Sequence, residues 1–233
     1  MTKILFVCHG NICRSPMAEF MLKDMSRRAG IADELEIDSA ATSYEEIGSP
    51  VYPPAKRKLA EFGISCEGKT ARRITPEDYT RFDLIIGMDN ANIRNMERCF
   101  GGDPEGKLHR MLEYAGREDE TIADPWYTGD FDETWDDLYE SCMGLMNVLH
   151  PQVTLDFSGC GERAELYDIM SERMLWQKWY GRNLDALNDI LTGLPHLGSN
   201  FVIHLPDEDA HCWNYAKCIC QEFADNCIPL EIV

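Results

Sequence analysis

Lysine and arginine are scarce beside aspartate and glutamate, 22 against 41 in 233 residues, for a formal charge of -19. Phosphate backbones are held by clustered cations, so this balance argues against nucleic acid as a direct ligand and favours a basic partner. Long apolar runs are missing as well. No stretch approaches the roughly 18 to 20 residues of a bilayer span, and Met1-Thr2-Lys3 leads straight into a short strand-like run rather than a secretory leader. A cytoplasmic protein without a membrane segment is expected. Repeats, low-complexity tracts and a glycine-serine linker are absent from the sequence. The ten cysteines are scattered and include no C-x2-C knuckle, which speaks for thiols rather than a disulfide framework. For the same reason His211, Cys212, Cys218, Cys220 and Cys227 read as core packing, not as a zinc site.

Hydrophobic residues make up 44% and charged residues 27%, enough apolar surface to bury a core and too much for disorder. The length allows two domains. From residue 3 to about 148, apolar runs alternate with stretches of helical period: Ile4 to Val7, a helix near 16 to 28, Leu35 to Ile37, a helix near 53 to 62, then Leu84 to Ile86. That is the α/β rhythm of a parallel sheet with crossover helices. Ser15 is expected to cap the first helix with Pro16 at its first position, and Gly30 to stop it. Thr75-Pro76-Glu77-Asp78 is a second helix start. A new strand-like alternation, Val153 to Phe157, follows His150-Pro151, which sets the expected domains at 1–149 and 150–233. Both are acidic; residues 151 to 233 hold five Lys and Arg against thirteen Asp and Glu.

The first strand ends in Cys8-His9-Gly10-Asn11-Ile12-Cys13-Arg14-Ser15-Pro16. A loop passing from a parallel strand into a helix turns successive N–H groups inward and adds the positive end of the helix dipole, a cradle for an oxyanion. Gly10 lets the backbone turn closely, Asn11 tolerates a left-handed conformation and ties the loop to itself, and Arg14 offers a fork to two oxygens. A cysteine in that field is favoured as thiolate, the nucleophilic form. Ser15 is placed to stabilise the sulfur when a phosphocysteine is hydrolysed. The full string, after a strand and before a capped helix, carries the chemistry where a lone cysteine would read as a small buried hydrophobe.

This loop resembles the low-molecular-weight protein tyrosine phosphatases, whose signature is C-x5-R-S at the N-terminus. The resemblance extends over about residues 3 to 148 and implies a doubly wound four-stranded parallel sheet. It also implies hydrolysis of phosphotyrosine in proteins without metal or cofactor, with Cys8, Arg14 and Asp124 as catalytic residues. Asp124-Pro125-Trp126-Tyr127 supplies the family's acid: proline holds Asp124 extended, and an aspartate facing a dianion keeps its proton longer. Gly10, Asn11, Ile12, Cys13, Ser15 and Tyr127 are the expected substrate contacts, and Trp126 or Tyr127 flanks an aromatic ring. Ile12 stands where relatives preferring phosphoarginine carry threonine, which favours phosphotyrosine. Met88-Asp89 matches a family stretch and receives a structural role. Lys69 replaces a histidine common in the family, and Tyr44-Glu45 forms the variable wall of the cleft. Cys13 is expected to form a reversible disulfide with Cys8 against over-oxidation. Thioredoxin-linked arsenate reductase shares the loop but needs a further redox pair, and Cys66 and Cys99 lie too far apart in sequence to resemble it.

In the second half, Leu184, Leu187 and Leu191 share one helical stripe and Asp185 and Asp189 another. Like charges four apart repel unless something outside uses that face. The run Trp179-Tyr180-Gly181-Arg182-Asn183-Leu184-Asp185-Ala186-Leu187-Asn188-Asp189 is similar to barstar, the inhibitor of the ribonuclease barnase, a resemblance taken over about residues 152 to 233. It implies a small α/β domain with a three-stranded parallel sheet, and a basic ribonuclease as partner, met by Asp185 and Asp189 with Tyr180 and Asn183 at the border. The family's helix tryptophan is Asn188 here, and its last acidic residue falls near Gln221-Glu222. The alternative is a binding protein whose phosphatase fold serves docking.

Overall fold

Ile4, Leu5, Phe6 and Val7 are fully buried, so the first strand, β1 (Thr2–Cys8), has apolar neighbours on both faces, as a central parallel strand does. The computed structural model describes residues 1–175, 181–193 and 200–233. They fall into two compact units, Met1–Cys142 and Met143–Val233.

In the first unit, β1 lies between β2 (Leu35–Ala41) and β3 (Leu84–Gly87), and β4 (Leu108–Arg110) closes the order β2-β1-β3-β4, every pair parallel. Five helices accompany it: α1 (Arg14–Ala29), α2 (Pro53–Glu61), α3 (Pro76–Arg81), α4 (Asn90–Phe100) and the short α5 (Pro125–Thr128). A sixth, α6 (Phe131–Leu149), begins in this unit and ends in the next. The α1 stripe expected from the sequence is buried at Met17, Met21 and Met25. Gly30 ends the helix in the left-handed region at φ 80°, where glycine carries no Cβ penalty. At the start of α3 the Asp78 carboxylate accepts from the Thr75 N–H at 2.9 Å, a reciprocal cap.

The start of α1 departs from expectation. The helix begins at Arg14, the residue before it is Cys13, and no side chain caps it. Ser15 is therefore already inside the first turn with Pro16 behind it, and its hydroxyl is engaged elsewhere.

The second unit holds the parallel sheet β5 (Gln152–Asp156), β6 (Asn200–His204) and β7 (Leu230–Ile232). Its helices are α7 (Arg163–Arg173), α8 (Leu184–Gly193) and α9 (Trp213–Asp225). Phe157, Phe201, Phe223, Ile203, Leu166 and Leu187 are fully buried in its core, each worth roughly 1.5 to 3 kcal/mol of transfer free energy. Among the described residues no helix is long and apolar enough to cross a membrane.

Candidate functional site

Strand order fixes where chemistry belongs. The chain steps from β1 to β2 on one side and returns to β3 on the other, so the crevice at the carboxyl ends of β1 and β3 is a topological switch point, the place where open α/β sheets bind ligands. Cys8 is the last residue of β1, and β3 ends at Gly87, just before Met88 and Asp89. Gly87 lets α4 pack closely there, because a Cβ would come within 3.0 to 3.2 Å of the Met96, Ile93 and Asn92 side chains.

Residues 9 to 13 bend around the Cys8 sulfur. Asn11 takes φ 57°, an αL conformation that asparagine tolerates, and its N–H donates to Cys8 Sγ at 3.2 Å. Ser15 Oγ donates to the same sulfur at 3.1 Å. Two donors thus converge on one buried sulfur. Asn11 Nδ2 donates to Ser15 Oγ at 2.9 Å and to Ser39 Oγ at 2.7 Å, while its Oδ1 accepts from the Arg72 N–H at 3.2 Å. The chain of contacts continues through Ser39 Oγ to Glu19 Oε2 at 2.5 Å, and Lys69 pairs with Glu19 at 2.7 Å and with Asp38 at 2.9 Å. Burial alone would raise the Asp38 carboxyl, but Lys69 and Arg72 outweigh it and pull it down to about 2. Gly10 does not serve as expected: its φ is not left-handed, and a Cβ there would meet Glu46 and Ile12 at 3.4 to 3.8 Å, ordinary contact distances. Asn11, not Gly10, makes the unusual turn.

Arg14 is 2% exposed and held by three oxygens. Nη1 donates to Asp89 Oδ2 at 2.7 Å and to the Ile122 carbonyl at 3.2 Å, and Nη2 donates to Asp124 Oδ2. Burial works against its charge, but Cys8, Asp124 and Asp89 override burial and raise its pKa. Asp89 also caps α4 by accepting the Asn92 N–H at 2.8 Å, so its structural role extends to aiming the guanidinium. Asp124 is extended (φ -84°, ψ 110°) ahead of Pro125, and its Oδ1 accepts the Trp126 N–H at 3.1 Å.

Cys8, Arg14 and Asp124 thus face one cavity of about 130 Å³, walled also by Gly10, Ile12, Cys13, Tyr127 and Trp126. Asn11 and Ser15 lie beneath it, 1% and 0% exposed. Tyr127 is 84% exposed and Trp126 53%, apolar surface at the rim. The sequence reading missed His9 and Glu46 in the wall and the buried partners Ser39 and Glu19. Burial pushes the Cys13 thiol up, with Cys8 and Asp124 adding to it, so Cys13 stands as a thiol beside Cys8.

In the second unit Asp185 and Asp189 are both exposed on α8, and among the described residues no lysine or arginine pairs with either. Leu187 and Leu191 are buried and Leu184 is half-buried. Asn183 is exposed, and its Oδ1 accepts the Ala186 N–H at 2.8 Å, so its side-chain oxygen caps α8 rather than standing free. Asn188 Oδ1 accepts from Asn226 Nδ2 at 3.1 Å. Tyr180 lies outside the described residues. Among those described, no three His, Cys, Asp or Glu side chains gather as a metal ion would need.

Loop, strand order and the Cys8, Arg14, Asp124 constellation define a cysteine-centred oxyanion site on a doubly wound sheet. The model of the low molecular weight phosphotyrosine protein phosphatases matches residues 3–155, and that of barstar (barnase inhibitor) matches 150–214. The chain belongs to the low molecular weight phosphotyrosine protein phosphatase family and carries a barstar domain behind it. It is 36% identical to the low molecular weight protein-tyrosine-phosphatase YfkJ of Bacillus subtilis, over 66% of this chain and all of that protein. With the Rattus norvegicus low molecular weight phosphotyrosine protein phosphatase it shares 35% over 60% of this chain and 88% of the other. The crystal structure of YfkJ superposes with a TM-score of 0.62, covering 64% of this chain and 94% of that one. The Drosophila arginine phosphatase does so with 0.59 at 30% identity, covering 64% and 98%.

Proposed function

We propose that residues 1–149 hydrolyse phosphotyrosine in proteins through a phosphocysteine intermediate, and that residues 150–233 are a barstar-like binding module. Cys8 Sγ attacks phosphorus in line and Arg14 with the loop N–H groups holds the oxygens. Asp124 gives its proton to the leaving phenol, and water then releases phosphate while Ser15 and Asn11 steady the departing sulfur. The observation that carries this reading is the pair of donors on Cys8 Sγ, set beside Arg14 in one cavity with Asp124. Ile12 in the wall and the exposed ring of Tyr127 support an aromatic phosphoester over phosphoarginine. Cys13 in the same wall supports a reversible disulfide with Cys8 as protection against over-oxidation. The ten unpaired thiols fit the reducing cytoplasm.

For the second half, Asp185 and Asp189, exposed and unpaired among the described residues, support contact with the cationic active site of a ribonuclease, bordered by Asn183 and Tyr180. Barnase with barstar is itself the standard example of charge-steered association. The test of the enzyme is turnover of p-nitrophenyl phosphate. Cys8→Ser should abolish it and Asp124→Ala should lower it strongly, and undiminished hydrolysis by Cys8→Ser would refute the assignment.

A further inference from the structure

A second cavity, of about 270 Å³, opens beside the first and is lined by His9, Thr42, Ser43, Arg73, Asn95 and Arg98, with Cys99 at its edge. His9 borders both cavities. In a chain of formal charge -19, this lining contains two guanidinium groups and no carboxylate. Among the described residues neither Arg73 nor Arg98 is paired with an acid, although Arg14, Arg72, Arg81, Arg110 and Arg117 all are. Arg73 is held in place by packing, its guanidinium 4.0 Å over the Tyr44 ring and its Nε donating to the Thr42 carbonyl at 3.3 Å. Arg98, in the last turn of α4, donates to Asn95 Oδ1 at 3.3 Å.

The floor of the cavity carries a buried hydroxyl as well. Thr42 is 9% exposed, and among the described residues its Oγ1 is buried without a hydrogen-bond partner. A buried hydroxyl is seldom left so, because desolvation without a partner is unfavourable. The floor is also rigidly tied to the catalytic loop: the Thr42 N–H donates to the Cys8 carbonyl at 2.9 Å and the Ser43 N–H to the His9 carbonyl at 3.0 Å.

We propose that this cavity is a second oxyanion subsite, which takes a carboxylate or phosphate borne by the phosphoprotein substrate a few residues from its phosphotyrosine. The proposal rests on the phosphatase reading above. Arg73 and Arg98 supply charge-assisted hydrogen bonds to the oxyanion, and the Thr42 hydroxyl donates a further one. The subsite acts on substrate capture and not on bond cleavage, so it lowers KM, and salt screens it because Arg98 is exposed.

The test compares kcat/KM of the full chain and of Arg98→Glu. The substrates are phosphotyrosine peptides with a single glutamate, a single phosphoserine or alanine at each position within about four residues of the phosphotyrosine, a reach of roughly 13 Å. The wild type should prefer an acidic peptide at one or two positions by about tenfold, through KM, at low salt, as fits one charge-assisted contact. Arg98→Glu should erase or reverse that preference and Arg98→Lys should keep part of it, both with unchanged turnover of p-nitrophenyl phosphate. Preference for glutamate, phosphoserine or both identifies the oxyanion. Equal kcat/KM for acidic and alanine peptides, or a preference indifferent to Arg98→Glu, overturns the subsite while leaving the phosphatase intact. Wild-type protein that fails on p-nitrophenyl phosphate removes both.

Discussion

Replacing Ser15 by alanine takes away one of two donors to the Cys8 sulfur and very little else. Ser15 is fully buried, its Oγ lies 3.1 Å from Sγ, and the Asn11 N–H at 3.2 Å remains. Asn11 Nδ2 keeps Ser39 as acceptor at 2.7 Å, so the loop stays tied. A hydrogen bond to a charged group is worth about 1.5 to 3 kcal/mol, and about 1.4 kcal/mol is tenfold in rate, which gives a loss of roughly 10- to 150-fold. The loss should fall on one step. In attack, the bond to sulfur weakens as the S–P bond forms, so its removal affects ground state and transition state in opposing ways. In breakdown of the phosphocysteine the charge returns to sulfur, and the donor helps only there. With p-nitrophenyl phosphate, Ser15→Ala should therefore lose kcat by roughly 10- to 150-fold with a much smaller change in kcat/KM. Rapid mixing should show a burst of p-nitrophenolate close to the enzyme concentration, and acid quenching should recover phosphorylated protein. A parallel fall of kcat and kcat/KM with no burst would refute the assignment of Ser15 to the leaving sulfur.

Two further outcomes are expected. The Asp38 carboxyl, pulled down to about 2 from an ordinary 3.8 by Lys69 and Arg72, stabilises the fold above about pH 4, and that contribution is lost as pH falls toward 2. Asp38→Asn should cost about 1 to 2 kcal/mol at neutral pH after discounting for partial exposure, since Lys69 and Arg72 retain Glu19 and Asp78. Urea titrations from pH 7 to pH 2 should show the two proteins converge in acid, and a constant gap would contradict it. For the second unit, Asp189→Ala should weaken inhibition of a barnase-like ribonuclease by the full chain at least about tenfold. Inhibition assays read this directly, and no inhibition by the wild type would remove the nuclease reading while sparing the fold.

What the sequence disclosed follows from how local each feature is. The loop is contiguous from Cys8 to Ser15, so the αL turn at Asn11 and the gathering of Cys8 and Arg14 on one cavity were legible. β1, β2, β3 and β5 announced themselves by apolar or alternating runs, whereas β4, Leu108-His109-Arg110, has no such run and went unread. Of the two roles expected of Ser15 only the cap fails: a Ser-Pro pair ahead of a helical stripe is a common cap, but the hydroxyl is engaged by the sulfur seven residues earlier in sequence, the other role its place in the loop suggested. The supporting network was hidden for another reason. Ser39, Glu19, Lys69 and Asp89 meet the loop across the sheet, 28 residues separating Asn11 from Ser39 and 75 separating Arg14 from Asp89, and no periodicity reports such pairings. Gly10 looked like the hinge of the turn, but side-chain hydrogen bonding lets Asn11 take the left-handed position instead.

The clamp on Arg14 has a bearing on how the enzyme lives among ordinary anions. With Asp89 and Asp124 already on its guanidinium, the resting pocket is not a bare positive hole. Loose orthophosphate gains only the difference between its own contacts and those it must loosen at Asp124, so it should compete poorly, and Asp124→Ala should bind it more tightly in an inhibition assay. On the proposed function a phosphotyrosine would bring a ring to lie along Ile12 and Tyr127 in the cavity wall as well, an apolar surplus that a free ion lacks. On the proposed function, selectivity against background phosphate would then rest on a salt bridge that the substrate has to open.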